Sequence, residues 1–347
     1  MSKIFVTGGA GYVGSVAVKE LCDRGHQVLV FDDLRRGHRA AVDPRAEFVG
    51  GNFEWNEYST TNVAEVMGNF RPDAVMHFAA YALVGESMTD PLGYFRNNVC
   101  SGISLLEAME YSKCDRIIFS SSCATFGTPS DGGFITEDTP QDPTNPYGES
   151  KLMFEKVLKW QSERKRLKAT ILRYFNAAGA VGDLGEDHDP ETHLIPNVLK
   201  AALGRKPFVE VFGSTRATRD GSCERDYVHV GDLAMAHAMV LEKGVVGAYN
   251  LGTGRGFTVK EVVESAKRIT GKYLRDHDLP EINVVERPDR PGDPDSLVAD
   301  PSKAKRDFGW EAKAKHVDDI MVSAWDWHRA HPDGYPKQAY WGGRTRT

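Results

Sequence analysis

A tyrosine and a lysine one helical turn apart are the clearest chemical signal in this sequence. Tyr147 and Lys151 follow Asn145 and Pro146, a pair typical of a helix start with the asparagine as the cap. Positions i and i+4 share a helix face, so the lysine ammonium would stand beside the phenol. A neighbouring cation favours the phenolate and lowers the pKa of a tyrosine, which would let Tyr147 act as a base near neutral pH. The spacing therefore predicts proton transfer at a substrate hydroxyl.

Three serines, at positions 120–122, come at the end of an apolar run that reads as the fifth strand. Ligands bind at the carboxyl ends of the strands in a doubly wound sheet. Ser122 would then relay a proton between a substrate oxygen and Tyr147. A YxxxK spacing alone occurs by chance, and its place after these serines is what indicates an oxidoreductase centre. The predicted catalytic residues are Tyr147, Lys151 and Ser122.

A glycine-rich segment follows the first predicted strand and opens a helix. Gly8, Gly11 and Gly14 have the spacing G-x-x-G-x-x-G, which allows a tight turn and lets the helix N-terminus approach a pyrophosphate. Asp32 closes the second strand 18 residues after Gly14, where a carboxylate would accept the ribose hydroxyls of NAD. The sequence therefore predicts a dinucleotide site that holds NAD.

Two arginines near this site leave NADP open as an alternative cofactor. Asp32 would repel a 2′-phosphate, but Arg35 and Arg36 could attract one. We interpret the arginines as solvated loop charges, so NAD is the favoured cofactor.

Short apolar runs alternate with amphipathic segments through the first half of the chain. The predicted strands are Lys3–Thr7, Gln27–Phe31, Ala46–Val49, Ala74–Phe78, Arg116–Ser120 and Thr170–Phe175. The predicted helices are Val16–Arg24, Leu92–Tyr111, Tyr147–Arg164, Val259–Thr270 and Val317–Ala330. This rhythm predicts an α/β fold, a Rossmann-type doubly wound parallel sheet with a smaller C-terminal α/β substrate domain. We expect residues 1–176 to bind the dinucleotide and 177–347 mainly the substrate, with residues 226–256 or so returning to the first domain.

Composition excludes some classes of function. A net charge of −6 over 347 residues argues against a nucleic-acid partner, and no apolar run approaches the roughly 20 residues of a membrane helix. The five cysteines are widely spaced without a CxxC pair, as in a reducing cytoplasm. None of the eleven histidines has a metal-site spacing such as HExxH, so we expect no catalytic metal.

These motifs resemble the extended short-chain dehydrogenase/reductase family, and within it the nucleotide-sugar 4-epimerases. The likeness covers nearly the whole chain. It rests on Val6–Gly14, His77–Ala80, Val84–Ser87, Arg173–Asn176, Arg225–His229, Tyr249–Gly254 and Trp325–His328. The resemblance implies interconversion of UDP-glucose and UDP-galactose. C4 would be oxidised transiently by NAD, the 4-keto sugar would turn over while its UDP stays anchored, and the hydride would return to the opposite face.

The same resemblance implies roles for further residues. The implied cofactor contacts are Gly8, Gly11, Tyr12, Val13, Gly14, Asp32, Asn52, Phe53, Phe78, Ala79, Ala80, Asn97, Ser120, Tyr147, Lys151 and Tyr174. The implied UDP-sugar contacts are Ser122, Tyr147, Asn176, His193, Leu194, Val211, Phe212, Arg225, Tyr227, Arg290, Asp293 and Leu297. Arg225 and Arg290 would clamp the pyrophosphate. Asp293 would accept the uridine ribose hydroxyls.

Several positions separate branches of the family. Related dehydratases and decarboxylases have an acidic residue after the active-site serine or threonine, where this chain has Cys123 and Ala124. The resemblance therefore implies oxidation and re-reduction without elimination. Ala82 and Asn52 depart from the family pattern at the cofactor and put its tightness in doubt.

Leu297 aligns with the position that gates sugar size, so a UDP-xylose/UDP-arabinose or UDP-N-acetylglucosamine 4-epimerase remains an alternative. A non-catalytic dinucleotide sensor is disfavoured because both Tyr147 and Lys151 are present. The family norm is a homodimer, through the helices Leu92–Tyr111 and Tyr147–Arg164.

Overall fold

A central parallel sheet organises the molecule. A computed structural model describes residues 1–53, 62–129, 133–289 and 293–336. The sheet has seven strands in the order β10-β6-β5-β4-β1-β2-β3, and every neighbouring pair is parallel. Its strands are β1 (Lys3–Thr7), β2 (Gln27–Asp32), β3 (Glu47–Gly50), β4 (Ala74–His77), β5 (Arg116–Ser122), β6 (Lys168–Tyr174) and β10 (Gly247–Leu251). The order reverses between β1 and β4, which is where such sheets bind ligands.

Helices cover both faces of the sheet. The helices associated with this sheet are α1 (Tyr12–Asp23), α2 (Val63–Phe70), α3 (Val84–Thr89), α4 (Pro91–Phe95), α5 (Ser101–Ser112), α6 (Pro146–Lys165) and α8 (Val230–Lys243). On one face, Val16 and Ala17 of α1 pack with Val230 and Ala234 of α8. On the other face, α2, α5 and α6 bury a separate apolar cluster that includes Phe119. Apolar burial on both faces explains why the strands are continuous apolar runs.

A second group of elements lies after β6. It comprises the strands β7 (Asn176–Ala178), β8 (Val209–Phe212), β9 (Glu224–His229), β11 (Gly256–Thr258), β12 (Val284–Arg287) and β13 (Ser296–Leu297), and the helices α7 (Leu194–Ala202), α9 (Val259–Asp276), α10 (Ser302–Phe308) and α11 (Val317–Ala330). β11, β9 and β13 form a small sheet that β7 joins, and β12 pairs with β8. Helices α7, α9 and α11 share a core of their own that contains Val198, Val262 and Ile320.

The predicted strands of the first half all occur, within one or two residues at most ends. The helix predicted over Leu92–Tyr111 occurs as one continuous helical run, within which a π-helical turn, Arg96–Cys100, joins α4 to α5. The wider turn accommodates Asn98, whose buried side chain bonds to Tyr81 and Ser150. The first helix begins at Tyr12, four residues before the predicted start, directly after the glycine turn. No helix in the described ranges is long and apolar enough to cross a membrane.

Candidate active site

The glycine turn leaves no room for a side chain at Gly8 or at Gly14. Gly8 has φ of +71°, and a Cβ there would lie 2.4 Å from the Ala79 nitrogen. A Cβ on Gly14 would lie 2.2 Å from the Gly8 carbonyl oxygen. The turn closes through Gly11 N–H, which donates to Gly8 O at 3.2 Å, and α1 begins at the next residue. The free N–H groups of this helix start therefore face the edge of the sheet where β1 ends.

Asp32 holds the far end of the turn. Its carboxylate accepts hydrogen bonds from Ala10 N–H at 3.0 Å and Leu34 N–H at 2.8 Å. Burial raises the pKa of Asp32 to about 6, and these two hydrogen bonds oppose the rise. The group is therefore mostly ionised at neutral pH, as hydrogen bonding to ribose hydroxyls requires.

A cleft of about 700 Å³, part of it open to solvent, lies beside the turn. The predicted cofactor residues that line it are Gly8, Gly11, Asp32, Asn52, Phe53, Phe78, Ala79, Ala80 and Asn97. The lining also includes residues that were not predicted, namely Phe31, Asp33, Arg35, Arg36, Gly37, Gly51, Tyr81 and Ser101. Gly37 could have been predicted from the sequence as part of the cofactor site, because it is a glycine that lies a few residues after Asp32. A Cβ there would be 2.7 Å from the Ala10 backbone.

Arg35 and Arg36, interpreted from the sequence as solvated loop charges, are one-third exposed and also have protein partners. Arg35 donates to the Tyr81 hydroxyl at 2.5 Å and forms an ion pair with Asp33 at 3.0 Å. Arg36 pairs with Glu86 and donates to the Asp189 carbonyl at 3.1 Å. Carboxylates already neutralise both guanidinium groups.

Replacing Gly8 by alanine is expected to abolish dinucleotide binding. The new Cβ would overlap the backbone of residue 79 and would also force a left-handed φ on alanine. Gly25→Ala is a matched control, because Gly25 has φ of +78° but no atom within 4 Å of its Cβ position. The free energy of unfolding of Gly25→Ala should fall by only about 1–2 kcal/mol, which is the cost of a left-handed backbone for a residue with a Cβ. Calorimetric titration with NAD would measure the affinity, and thermal melting would measure the stability. If Gly8→Ala and Gly25→Ala lost equal amounts of NAD affinity and of stability, the steric argument would be contradicted.

Tyr147 and Lys151 lie on the first turns of α6. Asn145 caps this helix by accepting from Gly148 N–H at 2.9 Å, as the sequence predicts. The Lys151 Nζ lies 6.0 Å from the centre of the Tyr147 ring and donates to the Ser120 carbonyl oxygen at 2.8 Å. That hydrogen bond joins the helix to the carboxyl end of β5.

Burial shifts the pKa of both groups toward their neutral forms. It lowers the pKa of Lys151 to about 7, a shift that the Glu155 carboxylate opposes. It raises the pKa of the Tyr147 phenol well above its ordinary value, and the nearby Tyr174 adds to this, while a hydrogen bond with Ser122 acts in the opposite direction. The phenol therefore becomes a base only when further positive charge stabilises the phenolate.

A hydrogen-bonded chain that sequence reasoning missed runs behind this pair. His237 on α8 bonds through Nδ1 to the Leu233 carbonyl at 2.8 Å, so Nδ1 carries the proton. The bare Nε2 then accepts from the Ser120 hydroxyl at 2.9 Å, and Tyr174 bonds to the same serine. Burial lowers the pKa of His237 to about 4, which keeps the ring neutral. Ser120 is thus held by protein groups on both sides.

A buried ion pair supports Lys151 from the next turn of α6. Glu155 receives a forked contact from Arg173 of β6, with Nη2 to Oε2 at 2.6 Å. It also accepts from the Ser121 hydroxyl at 2.5 Å and from Gln141 at 3.1 Å. Tyr147, Lys151 and Glu155 recur every four residues, so the sequence itself extends the YxxxK spacing by one more helical turn.

The predicted substrate residues meet around β9. Leu297 pairs in register with Arg225, and Asn176 pairs with Tyr227. Arg225 forms an ion pair with Asp293 and donates to the Glu224 carbonyl. Arg216, which was not predicted, donates to the Asp293 carbonyl at 2.6 Å and pairs with Asp295 at 3.0 Å. Arg290 lies outside the described residues.

Asp226, a buried carboxylate that the predictions missed, joins this strand to its neighbours. It accepts from the backbone of Thr253 at 2.8 Å, Gly254 at 3.1 Å and Ala299 at 3.3 Å. It therefore holds the segment after Leu297 against the strand that carries Arg225.

The remaining predicted contacts lie on neighbouring elements. Val211 is buried in β8, next to Phe212. His193 and Leu194 stand at the start of α7, with the histidine Nδ1 directed at two carboxylates. Tyr12 donates its hydroxyl hydrogen to the Gly179 carbonyl at 2.6 Å, and Val13 packs in the cluster between α1 and α8.

Fold and site together define an extended short-chain dehydrogenase/reductase: a seven-stranded Rossmann-type sheet, a glycine turn, and a Tyr-Lys pair beside serines at the end of β5. The sequence matches the family described as GDP-mannose 4,6 dehydratase over residues 5–321. It is 48% identical to the UDP-glucose 4-epimerase of Lactobacillus helveticus, over 96% of this chain and 99% of the relative. The chain belongs to the UDP-glucose 4-epimerase family, as its motifs predicted.

Solved structures agree with this placement. The UDP-glucose 4-epimerase of Brucella ovis, in complex with NAD, is 42% identical with a TM-score of 0.86, and the match covers 94% of this chain and 98% of that one. The Bifidobacterium longum enzyme, in complex with NAD⁺ and UDP, is 34% identical with a TM-score of 0.86, over 96% and 100% of the two chains. The fold class predicted from the strand and helix pattern is confirmed.

Proposed function

We propose that this chain interconverts UDP-glucose and UDP-galactose by reversible oxidation at C4 of the sugar. The observation that carries the proposal is the placement of Tyr147, hydrogen-bonded to Ser122 and beside Lys151, at the sheet edge where the glycine turn also ends. Relatives that are 40–48% identical over nearly the whole chain are named UDP-glucose 4-epimerase. Cys123 and Ala124 after the serine offer no acid for a competing elimination.

NAD fits the residues present. The glycine turn gives a pyrophosphate access to the N–H groups at the start of α1, and Asp32 stands at the end of β2 for the ribose hydroxyls. NAD would supply the hydride acceptor and donor for C4. A 2′-phosphate would meet the charge of Asp32, and the arginines beside it already pair with Asp33 and Glu86. This supports NAD over NADP.

The side chains of the site would move one proton and hold the sugar. Tyr147 takes the proton of the C4 hydroxyl, with Ser122 as relay, and returns it after the sugar has turned. The ammonium of Lys151 stabilises the phenolate, and the positive nicotinamide adds to that effect. Lys151 keeps its orientation because Ser120 O anchors Nζ.

The UDP moiety would lie along β9. Arg225 and Arg290 suit the pyrophosphate, and Asp293 suits the uridine ribose. Leu194 and Phe212 would line the uracil pocket. In the structure Arg225 pairs with Asp293, so substrate would engage a guanidinium already oriented by a carboxylate. Residues 177–347 would thus bind mainly the sugar nucleotide, while 1–176, with β10 and α8 from the later part of the chain, hold the cofactor.

Leu297 is buried at the strand that carries Arg225, and we assign it the limit on sugar size. Leucine leaves more space than an aromatic side chain, so some turnover of pentose or N-acetylated sugars is expected beside the glucose/galactose pair. Purified protein incubated with a panel of UDP-sugars, without added NAD, tests this after separation of the products. Absence of UDP-galactose conversion together with rapid UDP-xylose turnover would overturn the substrate assignment and leave the mechanism standing.

We also propose a homodimer through α5 and α6. Their outer faces expose Ile103 (40%) and Trp160 (60%), and Tyr111 at the end of α5 is 71% exposed. Ile103→Asp is expected to shift the mass measured by light scattering from two chains toward one, because a charge in an apolar interface must be desolvated. Val322→Asp, at a 46% exposed apolar position on α11, is the control. A wild-type mass of one chain would contradict the proposal.

We propose that the enzyme works in the cytoplasm in galactose metabolism. Its five cysteines are thiols, four of them buried, which suits a reducing compartment.

A further inference from the structure

Two histidines and two glutamates meet in the segment before α7, and only one of them, His193, is among the implied UDP-sugar contacts. Glu186, His188, Glu191 and His193 each present one ligand atom, and these atoms all lie within 4.8 Å of one another. The four residues come from eight consecutive positions, so the segment must fold back on itself to bring them together.

The distances between these groups suit a single metal ion. His193 Nδ1 lies 2.8 Å from Glu186 Oε1 and 3.2 Å from Glu191 Oε1. His188 Nδ1 lies 3.3 Å from Glu186 Oε1 and 3.7 Å from Glu191 Oε2. Ligand atoms about 2.1 Å from a tetrahedral zinc ion are separated by about 3.4 Å, which falls inside this range. Both rings direct the same nitrogen, Nδ1, at both carboxylates.

Burial without hydrogen bonding is an independent sign of a missing partner. The Glu186 and Glu191 side chains are 5% and 3% exposed. The Nδ1 atoms of both histidines and Oε2 of Glu191 are buried and make no hydrogen bond of good geometry within the described residues, where their nearest polar neighbours are the facing atoms of the same four side chains. Buried polar atoms of folded proteins are nearly always satisfied, since leaving one unpaired costs on the order of 1–3 kcal/mol. A cation at the centre would satisfy all three atoms at once.

We propose that Glu186, His188, Glu191 and His193 bind one zinc ion. Imidazole nitrogen and carboxylate oxygen are both ordinary zinc ligands, whereas calcium and magnesium take oxygen almost exclusively. Four protein ligands leave no open position for a substrate or a reactive water, so the site is structural. It does not conflict with the expectation of no catalytic metal, and its spacing, E-x-H-x₂-E-x-H, differs from the HExxH pattern on which that expectation rested.

The position of the site explains what the ion would do. The ring of Tyr12, the first residue of α1, packs edge-on against His188 at 6.2 Å, and its hydroxyl bonds to Gly179. His193 immediately precedes α7, whose first residue is Leu194. The zinc site would therefore tie the start of the dinucleotide helix to the start of the helix expected to line the uracil pocket.

Metal analysis of the full-length chain tests the proposal without reference to activity. Untagged protein, purified without nickel or chelator, is expected to contain one zinc per chain by mass spectrometry. Treatment with a strong chelator should lower its melting temperature, and added zinc should restore it. Protein free of metal, whose melting temperature responds neither to chelator nor to zinc, would overturn the proposal. That result would mean that ion pairs of His188 and His193 with Glu186 and Glu191, without a metal ion, stabilise the segment before α7.

A matched pair of variants locates the ion. His188→Gln should lose at least nine-tenths of the zinc, whereas His331→Gln should retain it, because His331 bonds to Trp327 O and is not one of the four proposed ligands. Zinc retained in His188→Gln, or a stoichiometric metal other than zinc in the wild type, would overturn the assignment. If His188→Gln does not fold, the chelator response of the wild type decides.

Discussion

Tyr147→Phe is expected to lower kcat by about a thousandfold, the range that a positioned proton-transfer group contributes. The substitution removes only the hydroxyl, from a ring that is 8% exposed and packs near Tyr94. The fold and NAD binding should persist, so kcat falls while the KM for UDP-galactose changes little. A coupled assay for UDP-glucose formation measures both constants.

Tyr249→Phe is the control for the loss of a tyrosine hydroxyl. Tyr249 is also buried, but it lies on β10, where its hydroxyl bonds to Val246 O at 3.3 Å and to the Asp307 side chain. Its kcat should match that of the wild type. A Tyr147→Phe enzyme with more than a tenth of wild-type kcat would mean that another group accepts the C4 proton.

Lys151→Met should lower kcat by about a hundredfold or more, because the phenolate of Tyr147 loses its neighbouring cation. The dependence of kcat on pH distinguishes the loss of an electrostatic role of Lys151 from the loss of a structural role. Activity rises with pH as Tyr147 deprotonates, and loss of the ammonium raises the pKa of the phenol. The rising limb of kcat against pH should therefore move to higher pH.

Lys243→Met controls for the lost hydrogen bond. Lys243 donates to the Phe308 carbonyl at 2.8 Å, as Lys151 does to Ser120 O at 2.8 Å, but it lies at the end of α8. It should leave both kcat and the pH profile unchanged. A Lys151→Met enzyme with reduced kcat and an unshifted profile would contradict the electrostatic role.

The free energy of unfolding of the cofactor-free protein should also depend on pH because of Lys151. The pKa of Lys151 is about 7 when folded and 10.5 in its ordinary state, so the unfolded chain binds more protons between these values. The contribution of this lysine is a penalty, which is fully present below pH 7 and disappears as the pH rises toward 10.5. Urea unfolding of wild type and Lys151→Met should differ in slope across that window, with the wild type gaining stability relative to the variant.

Local patterns determined a large part of this protein. The strands β1 to β6, the cap and first turn of α6, the glycine turn and Asp32 follow from residue type and spacing within a few positions, because turn geometry, helix capping and strand burial are local requirements. The same is true of the Tyr147–Lys151 pair, since four residues always span one helical turn. The branch of the family could be recognised because its distinguishing residues directly follow the serine.

Only the tertiary structure decided which distant residues meet. His237 reaches Ser120 from α8, and Arg173 reaches Glu155 from the neighbouring strand, so the environment of the catalytic pair depends on contacts between separate elements. The π-helical turn that accommodates Asn98 and the pairing of Leu297 with Arg225 are of the same kind. Even Glu186 and His193, close in sequence, meet in a segment that contacts Tyr12 of α1 and Trp327 of α11 and leads into α7. Side-chain spacing specifies neighbours along one element, whereas these meetings depend on how whole elements pack.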